Sequence, residues 1–230
     1  MKNPQLGLVV RVASASALCM ALLACGSKPP APDWQLNAKS ASDRAVQAYL
    51  KGDQRVEQAE FANARAELAR TGDANHLARL ELLRCAAQVA SLVLGPCAGF
   101  TPLAQDASPE ERAYARYLAG QALPSDIALL PPAQRAVAGA APAQAAALLT
   151  AVEPMSALVA AGVIFTRGQA SPALVALAVD KASAQGWPRP LLAWLGVQLQ
   201  LAQQSGSDGE AARIQRRIDL VAPAPVPSSP

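Results

Sequence analysis

The chain has 230 residues and a formal net charge of +3; residues 1–24 contain Lys2, Arg11 and no acid, so residues 25–230 carry +1. This length suits one domain or two small ones, and so neutral a chain lacks the electrostatic footprint of a nucleic-acid-binding protein. Hydrophobic residues make up 52% and aromatic residues 4%; Ala and Leu dominate, and no stretch alternates apolar with polar residues, so we expect an all-α fold.

The N-terminal segment begins with the positive charge of Lys2 and continues into an uninterrupted small and apolar run over residues 12–24. A run of about 13 residues is typical of a secretory signal and is too short to span a bilayer, which takes roughly 20 residues. It ends in Leu22-Leu23-Ala24-Cys25, which resembles the lipobox of bacterial lipoproteins. The resemblance implies that residues 1–24 are a lipoprotein signal peptide and that Cys25 carries a diacylglycerol and a further acyl chain such as palmitate, which together form a durable anchor.

The residue after the cysteine bears on the destination of the protein. In the enteric lipoprotein sorting pattern, Asp at that position retains a protein in the inner membrane, and Gly26 stands there instead. The resemblance therefore favours the outer membrane, facing the periplasm. Residues 25–38 are predicted to form a tether that proline stiffens towards polyproline II. Trp34 is expected to dock on the first helices or, alternatively, to contact headgroups or a partner.

A helical domain is predicted over residues 39–221, followed by a proline-rich disordered tail over residues 222–230. Its first helix is expected to run from Ser40 or Ser42 to about residue 51, and a second helix to end before Gly72. The inward face of the second helix is predicted to consist of Val56, Ala59, Ala62, Ala66 and Ala69, widened by Phe61, Ala64 and Leu68.

The third helix, predicted over residues 74–94, is apolar on most of its circumference. One apolar stripe comprises Leu77, Leu80, Leu83, Ala87, Ala90 and Leu94, and a second comprises Leu82, Cys85, Val89 and Leu92. Glu81, Arg84, Gln88 and Ser91 form the one strip that is expected to be solvated. Because such a helix needs neighbours on both sides, we place it at the centre of the domain.

Two cysteines remain once Cys19 leaves with the signal and Cys25 is lipidated. A lone pair in an oxidising periplasm favours a disulfide between Cys85 and Cys97. Cys85 lies about 14 Å before the predicted helix end, so the chain must fold back along the helix to bring the two sulfurs together. A redox or metal pair is disfavoured, because the spacing is not C-x-x-C and no histidine accompanies it.

Helix-start signals recur along the rest of the chain. Ser108-Pro109-Glu110-Glu111 combines a cap, proline at the first helical position and a glutamate expected to reach back to the cap amide. Similar punctuation returns at residues 125, 142, 154, 171, 188 and 207, mostly in steps of 17. Two such steps are about 34 residues, the length of a tetratricopeptide repeat.

The pattern Tyr49, Gly52, Phe61 and Ala64 is similar to the small-and-aromatic pattern of tetratricopeptide repeats, and the helix-turn-helix spacing resembles theirs over residues 40–221. The full motif, with its Trp-x-x-Leu-Gly opening, is absent. The predicted fold is therefore all-α, either stacked antiparallel helix pairs in an α-solenoid or an irregular helical bundle.

Catalytic motifs are missing from the sequence. His76 is the only histidine, and there is no G-x-S-x-G elbow, Walker loop or dinucleotide glycine pattern, so we expect no enzymatic activity, metal or cofactor. Two carboxylate groups, Glu57 with Glu60 and Asp106 with residues 110–111, are interpreted as helix-surface and helix-capping residues.

These observations predict an envelope-anchored lipoprotein that acts as a non-enzymatic helical scaffold or adaptor for another envelope protein. Its contacts would be the membrane, through the lipid, and a protein partner, with Trp34, Tyr114 and Tyr117 as candidate contact residues. Two alternatives stay open. One is a cell-wall hydrolase or its activator, and the other is a carrier of a small apolar ligand.

Overall fold

The computed structural model describes residues 30–222, and this part of the chain contains helices and no strand. The α-helices are α1 Asp33–Lys51, α2 Gln54–Ala69, α3 Ala74–Ala90, α4 Pro109–Leu118, α5 Pro132–Ala138, α6 Ala145–Thr150, α7 Pro154–Thr166, α8 Pro172–Ala184, α9 Pro188–Gln204 and α10 Asp208–Val221. Short 3₁₀ helices lie at Thr101–Leu103, Pro124–Leu129 and Pro142–Gln144. The predicted all-α fold is confirmed. The signal peptide, Cys25 and residues 223–230 lie outside the described residues.

Local signals set most of the helix starts at the positions that the sequence predicts. Asp73 caps α3 by accepting from the Asn75 amide at 2.8 Å, and the Ser171 hydroxyl accepts from the first turn of α8. Gly72, at φ 65°, ends the turn before α3 in the left-handed region that favours glycine. Proline opens α4, α7, α8 and α9, where its missing N–H costs no hydrogen bond.

Two helix boundaries differ from the prediction. Helix α1 begins at Asp33, inside the segment predicted as tether, so Trp34 is helical. Helix α3 ends at Ala90, and Leu92 then adopts a left-handed φ of 55°. The apolar periodicity continues to residue 94 and Gly95 follows it, so the sequence predicted a later helix end. The chain in fact turns at Leu92, a residue type that does not signal a helix end.

The buried face of α2 is the reverse of the predicted one. The residues of α2 that reach the core are Glu57, Phe61 and Ala64. The predicted inward residues Val56, Ala59, Ala62, Ala66 and Ala69 are all exposed. Helix α2 is apolar on two sides, and the side that carries the large Phe61 ring removes more apolar area from water than a stripe of alanines does.

Helix α3 lies at the centre, as predicted. It packs against α2 and α4 and also against α7, which is distant in sequence, while α7, α8, α9 and α10 pack in succession. Gly162 of α7 lies directly on the backbone of Val89 in α3. The buried Trp194 of α9 donates to the carbonyl oxygen of Ala90 at 3.0 Å. These contacts form an irregular helical array, because helices separated in sequence pack as closely as sequence neighbours.

The start of α9 returns to the end of α1. Trp187 Nε1 donates to Gln47 Oε1 at 3.2 Å, and Arg189 Nε donates to the Tyr49 carbonyl oxygen at 2.6 Å. The Arg189 guanidinium also lies 4.4 Å from the centre of the Tyr49 ring. Through these contacts the last part of the described chain closes against its first helix.

A disulfide joins Cys85 and Cys97, whose Cα atoms are 5.5 Å apart, as predicted. Because α3 ends at Ala90, the chain reverses sooner than expected and the return path is short. The segment after the bridge is tied down by the buried Phe100, whose amide donates to the Cys97 carbonyl oxygen at 2.9 Å. No helix within residues 30–222 has both the length and the apolarity required to cross a bilayer.

Candidate binding groove

An open groove runs along the outer side of α3, between α1 on one side and α4 with residues 129–131 on the other. It consists of two depressions of about 830 and 640 Å³, counted with their open parts, that share Arg79 and Leu83. We call it the α3 groove. Its main apolar lining residues are Trp34, Leu68, Leu80, Leu82, Leu83, Tyr114, Leu129 and Pro131.

The groove exists because α3 has more apolar surface than its neighbours cover. Helix α7 packs against α3 from within the array. On the outer side, Leu80 is buried beneath α1, while Leu83 is half-buried and lines both depressions. The sequence predicted that neighbours cover both sides of α3. Helix α7 covers the inner side, whereas on the outer side part of the apolar surface, including Leu83, stays uncovered.

Arg79 lies between the two depressions, and an ion pair with Glu111 of α4 holds its side chain in place. Its Nε donates to Glu111 Oε1, and this hydrogen bond raises the pKa of Arg79. Glu111 is buried, and its other carboxylate oxygen lies against the Ser108 hydroxyl. The Ser108 amide, which was predicted to bond to Glu111, donates instead to Asn75 Oδ1 at 2.6 Å. Glu111 is thus the support of Arg79 more than a capping residue.

The exposed carboxylate of the groove wall, Glu110, is poorly suited to acid catalysis. The Ser108 hydroxyl donates to Glu110 at 2.8 Å, and this bond holds the pKa of Glu110 below its usual value. A general acid at neutral pH needs a raised pKa instead. Asp106 is exposed. Within residues 30–222, no cluster of three His, Cys, Asp or Glu residues could hold a metal ion.

Two of the three predicted contact residues line the groove. Trp34 lies at one end, with its ring centre 5.2 Å from that of His76. Tyr114 lies in the opposite wall, and burial raises the pKa of its hydroxyl. Tyr117 lies in the core at 3% exposure, where its hydroxyl donates to Gln134 at 2.8 Å. Core packing therefore accounts for Tyr117, whereas Trp34 and Tyr114 line the groove.

A narrow pocket lies beneath α1, between α1, α2 and α3, and its cavity volume of about 10 Å³ leaves room for one water molecule at most. Its lining residues are Ser42, Ala45, Val46, Tyr49, Glu57, Phe61, Leu80, Leu83, Arg84 and Ala87. We call it the Glu57 pocket. The sequence interpretation missed it, because it placed both Glu57 and Arg84 on solvated surfaces. Glu57 is in fact 4% exposed. The sequence does place Glu57 four residues before Phe61, on the same face of α2, and this spacing could have indicated that Glu57 is buried beside the ring.

The strip of α3 that was predicted to be solvated is partly buried. Glu81 is 8% exposed, forms an ion pair with Arg65 of α2 and packs against Gly99, where any side chain would overlap the carboxylate. Ser91 is also buried. Gly99, in the segment after the disulfide, covers Glu81, and periodicity within α3 could not predict that cover.

The remaining predicted acid, Glu60, pairs with Arg44 of α1 at 2.8 Å. Glu57 and Glu60 therefore contact different cations, and they do not form a joint carboxylate site. No protein-family model, curated protein or solved structure matches the chain.

Proposed function

We propose that this chain is a non-enzymatic, envelope-anchored lipoprotein that binds a segment of another envelope protein in the α3 groove. The observation that supports this proposal is the groove itself, with half-buried Leu83 at its centre and Trp34 and Tyr114 at its edges. Aromatic side chains and a positioned arginine are enriched in protein contact sites.

The lipid anchor would place this groove near the membrane. Trp34 follows Cys25 by nine residues, which even in extended form span about 30 Å. A Cys25 acylated in the outer membrane would therefore hold the groove within reach of membrane-proximal segments of other periplasmic proteins. The lipobox-like residues 22–25 support this placement.

A protein segment fits the groove better than a small apolar ligand does. Carrier proteins enclose most of their ligand surface in a cavity of several hundred Å³. The α3 groove is open along its length, and the more enclosed Glu57 pocket has a cavity volume of only about 10 Å³. An open channel over a helix suits an amphipathic helix or an extended peptide, whose apolar residues fill successive depressions.

Site-specific photo-crosslinking tests the groove. A photoreactive residue in place of Leu83 or Leu129 is expected to capture the same envelope protein in intact cells. The control position is Leu220 on α10, which is 85% exposed and outside the groove. Capture of the same protein from Leu220, or of different proteins from the two groove positions, would argue against the proposal.

Palmitate labelling tests the anchor independently. The parent chain is expected to incorporate the label and to fractionate with the outer membrane, and Cys25→Ala is expected to do neither. A purified native product that still contains residues 1–24 would refute the lipoprotein assignment.

A further inference from the structure

Glu57 lies in an unusual position for a carboxylate. It stands on α2 beneath α1, with 6% of its side chain exposed, and it lines the Glu57 pocket. Its Oε1 is 2.9 Å from Arg84 Nε, yet neither atom has a hydrogen bond of acceptable geometry. A buried carboxylate without a well-directed donor is costly, so this group is poised to accept a better one.

The Arg84 side chain lines the Glu57 pocket from a position that opens to solvent. Its guanidinium lies 4.5 Å from the centre of the Phe61 ring, which is a cation–π arrangement. Its side chain is 37% exposed, so it can swing into solvent without losing the hydration of its charge. Phe61 and Glu57 together then form a receptor for a cation, with an aromatic face on one side and a carboxylate on the other.

A second arginine–glutamate ion pair between α2 and α3 can be compared with the Glu57–Arg84 pair. Arg65 of α2 and Glu81 of α3 have similar exposures, 46% and 8%. In this pair the Arg65 guanidinium does donate a hydrogen bond to the Glu81 carboxylate. The two pairs across α2 and α3 therefore differ, because the 2.9 Å contact between Glu57 Oε1 and Arg84 Nε is not accompanied by a hydrogen bond at either atom.

The pocket adjoins the α3 groove. Ser42, Leu80 and Leu83 line both the pocket and the nearer depression of the groove. A side chain carried by a segment in the groove would therefore lie beside these shared residues, next to the pocket.

The charge of the groove also favours a basic partner. Lys39 pairs with Asp43 and Arg79 pairs with Glu111. Among the carboxylates that line the groove in the described part of the chain, Glu110 alone has no cation within ion-pair distance. Its negative charge would therefore attract a basic residue of a partner.

We propose that the groove partner is an apolar segment with a basic anchor residue, and that its lysine or arginine enters the Glu57 pocket, displaces Arg84 and pairs with Glu57 against Phe61. This inference rests on the proposed function of the α3 groove and specifies the chemistry of its occupant. The exchange is neutral in charge, because one cation replaces another while Arg84 moves into water. The apolar residues of the segment would cover Leu80 and Leu83.

The test uses the full chain in detergent and N-acetyl-arginine amide as the probe, with the neutral N-acetyl-citrulline amide as its matched control. Arg84→Ala empties the cation position. We expect this variant to bind the arginine probe about tenfold more tightly than the parent does, because Arg84 no longer competes. The arginine probe should also raise the thermal midpoint of Arg84→Ala, and citrulline should not.

Arg65→Ala is the control variant, since it removes the comparable guanidinium outside the pocket. It should show no gain in affinity for the probe. Equal responses of Arg84→Ala and Arg65→Ala, or of arginine and citrulline, would overturn the proposal, as would unchanged binding in the double variant Arg84→Ala, Glu57→Gln.

The same substitution separates this inference from the function on which it rests. In the crosslinking experiment from Leu83, Glu57→Gln should reduce capture of the partner about tenfold, since a charge-assisted contact is lost. Undiminished capture would leave the groove as the binding site and refute the basic anchor, whereas no capture even in the parent would refute the groove.

Discussion

Gly162 provides the sharpest test of the central packing, because it permits α7 to lie directly on α3. A Cβ added at this position would overlap the carbonyl oxygen of Val89 and come within 2.8 Å of its Cγ1. Rotation of the Val89 side chain relieves the second contact and leaves the first. Helix α3 itself would have to move, and it is packed against α2, α4 and α7.

Two opposing effects set the size of the change. Alanine in a helix interior is better than glycine by about 1 kcal/mol. Overpacking of a filled core costs about 1–3 kcal/mol, and contact with a backbone atom belongs at the upper end of that range. We therefore expect Gly162→Ala to lower the free energy of unfolding by about 1–2 kcal/mol, and the thermal midpoint by about 3–6 °C for a chain of this size.

Urea unfolding followed by circular dichroism, with the disulfide intact, measures this difference. The matched control is Gly196→Ala in α9, where an added Cβ meets nothing within 4 Å. That variant should gain up to about 1 kcal/mol from helix propensity. If both variants were stabilised equally, the close approach of α7 and α3 would be refuted.

Three further changes follow from buried polar groups and the crosslink. Tyr117→Phe removes the donor to the buried Gln134 carbonyl and should cost about 1–2 kcal/mol in urea unfolding. Replacement of Cys85 and Cys97 by serine opens a loop with a sequence separation of 12 and should cost about 3 kcal/mol by the same measurement. Hydrogen bonds from the Arg116 guanidinium hold the pKa of Asp126 at about 2. The Asp126 carboxylate therefore stabilises the fold above about pH 4, and this stabilisation is lost as the pH falls to 2. Asp126→Asn should flatten the fall in unfolding free energy between about pH 4 and pH 2.

Each of these predictions has a contrasting outcome. Tyr114→Phe should be nearly neutral because its hydroxyl has no hydrogen-bond partner in the described structure, and a loss equal to that of Tyr117→Phe would contradict the network. A reduced parent protein as stable as the oxidised one would contradict the crosslink. An acid transition unchanged by either Asp126→Asn or Arg116→Ala would show that this ion pair contributes nothing to it.

Helix starts were predictable because they depend on neighbouring residues. Ser108, Ser171 and the prolines at 154 and 188 act through caps and a fixed φ within one turn, and the structure places helix starts beside all of them. Cys85 and Cys97 were likewise identified by count alone. The candidate contacts Trp34 and Tyr114 line the groove, although nothing in the sequence placed them on opposite walls.

The orientation of α2 was not predictable from its own residues. Its alanine stripe has regular helical spacing, but the phenylalanine face is the one that α1 and α3 bury. Periodicity measures how apolar each face is and says nothing about which face a neighbour covers. The same limitation made Glu57 and Glu81 look solvated, whereas each is buried with an arginine from the facing helix.

The sequence by itself therefore determined the helical class, the helix starts and the cysteine pair, since propensity, capping and residue count operate over a few neighbouring positions. The tertiary structure decided which face of each helix is covered, where α3 ends and how Glu57 comes to lie under Arg84 beside an open groove. Those properties depend on contacts between residues far apart in the chain, such as Gly162 with Val89 and Trp194 with Ala90, which no local pattern encodes.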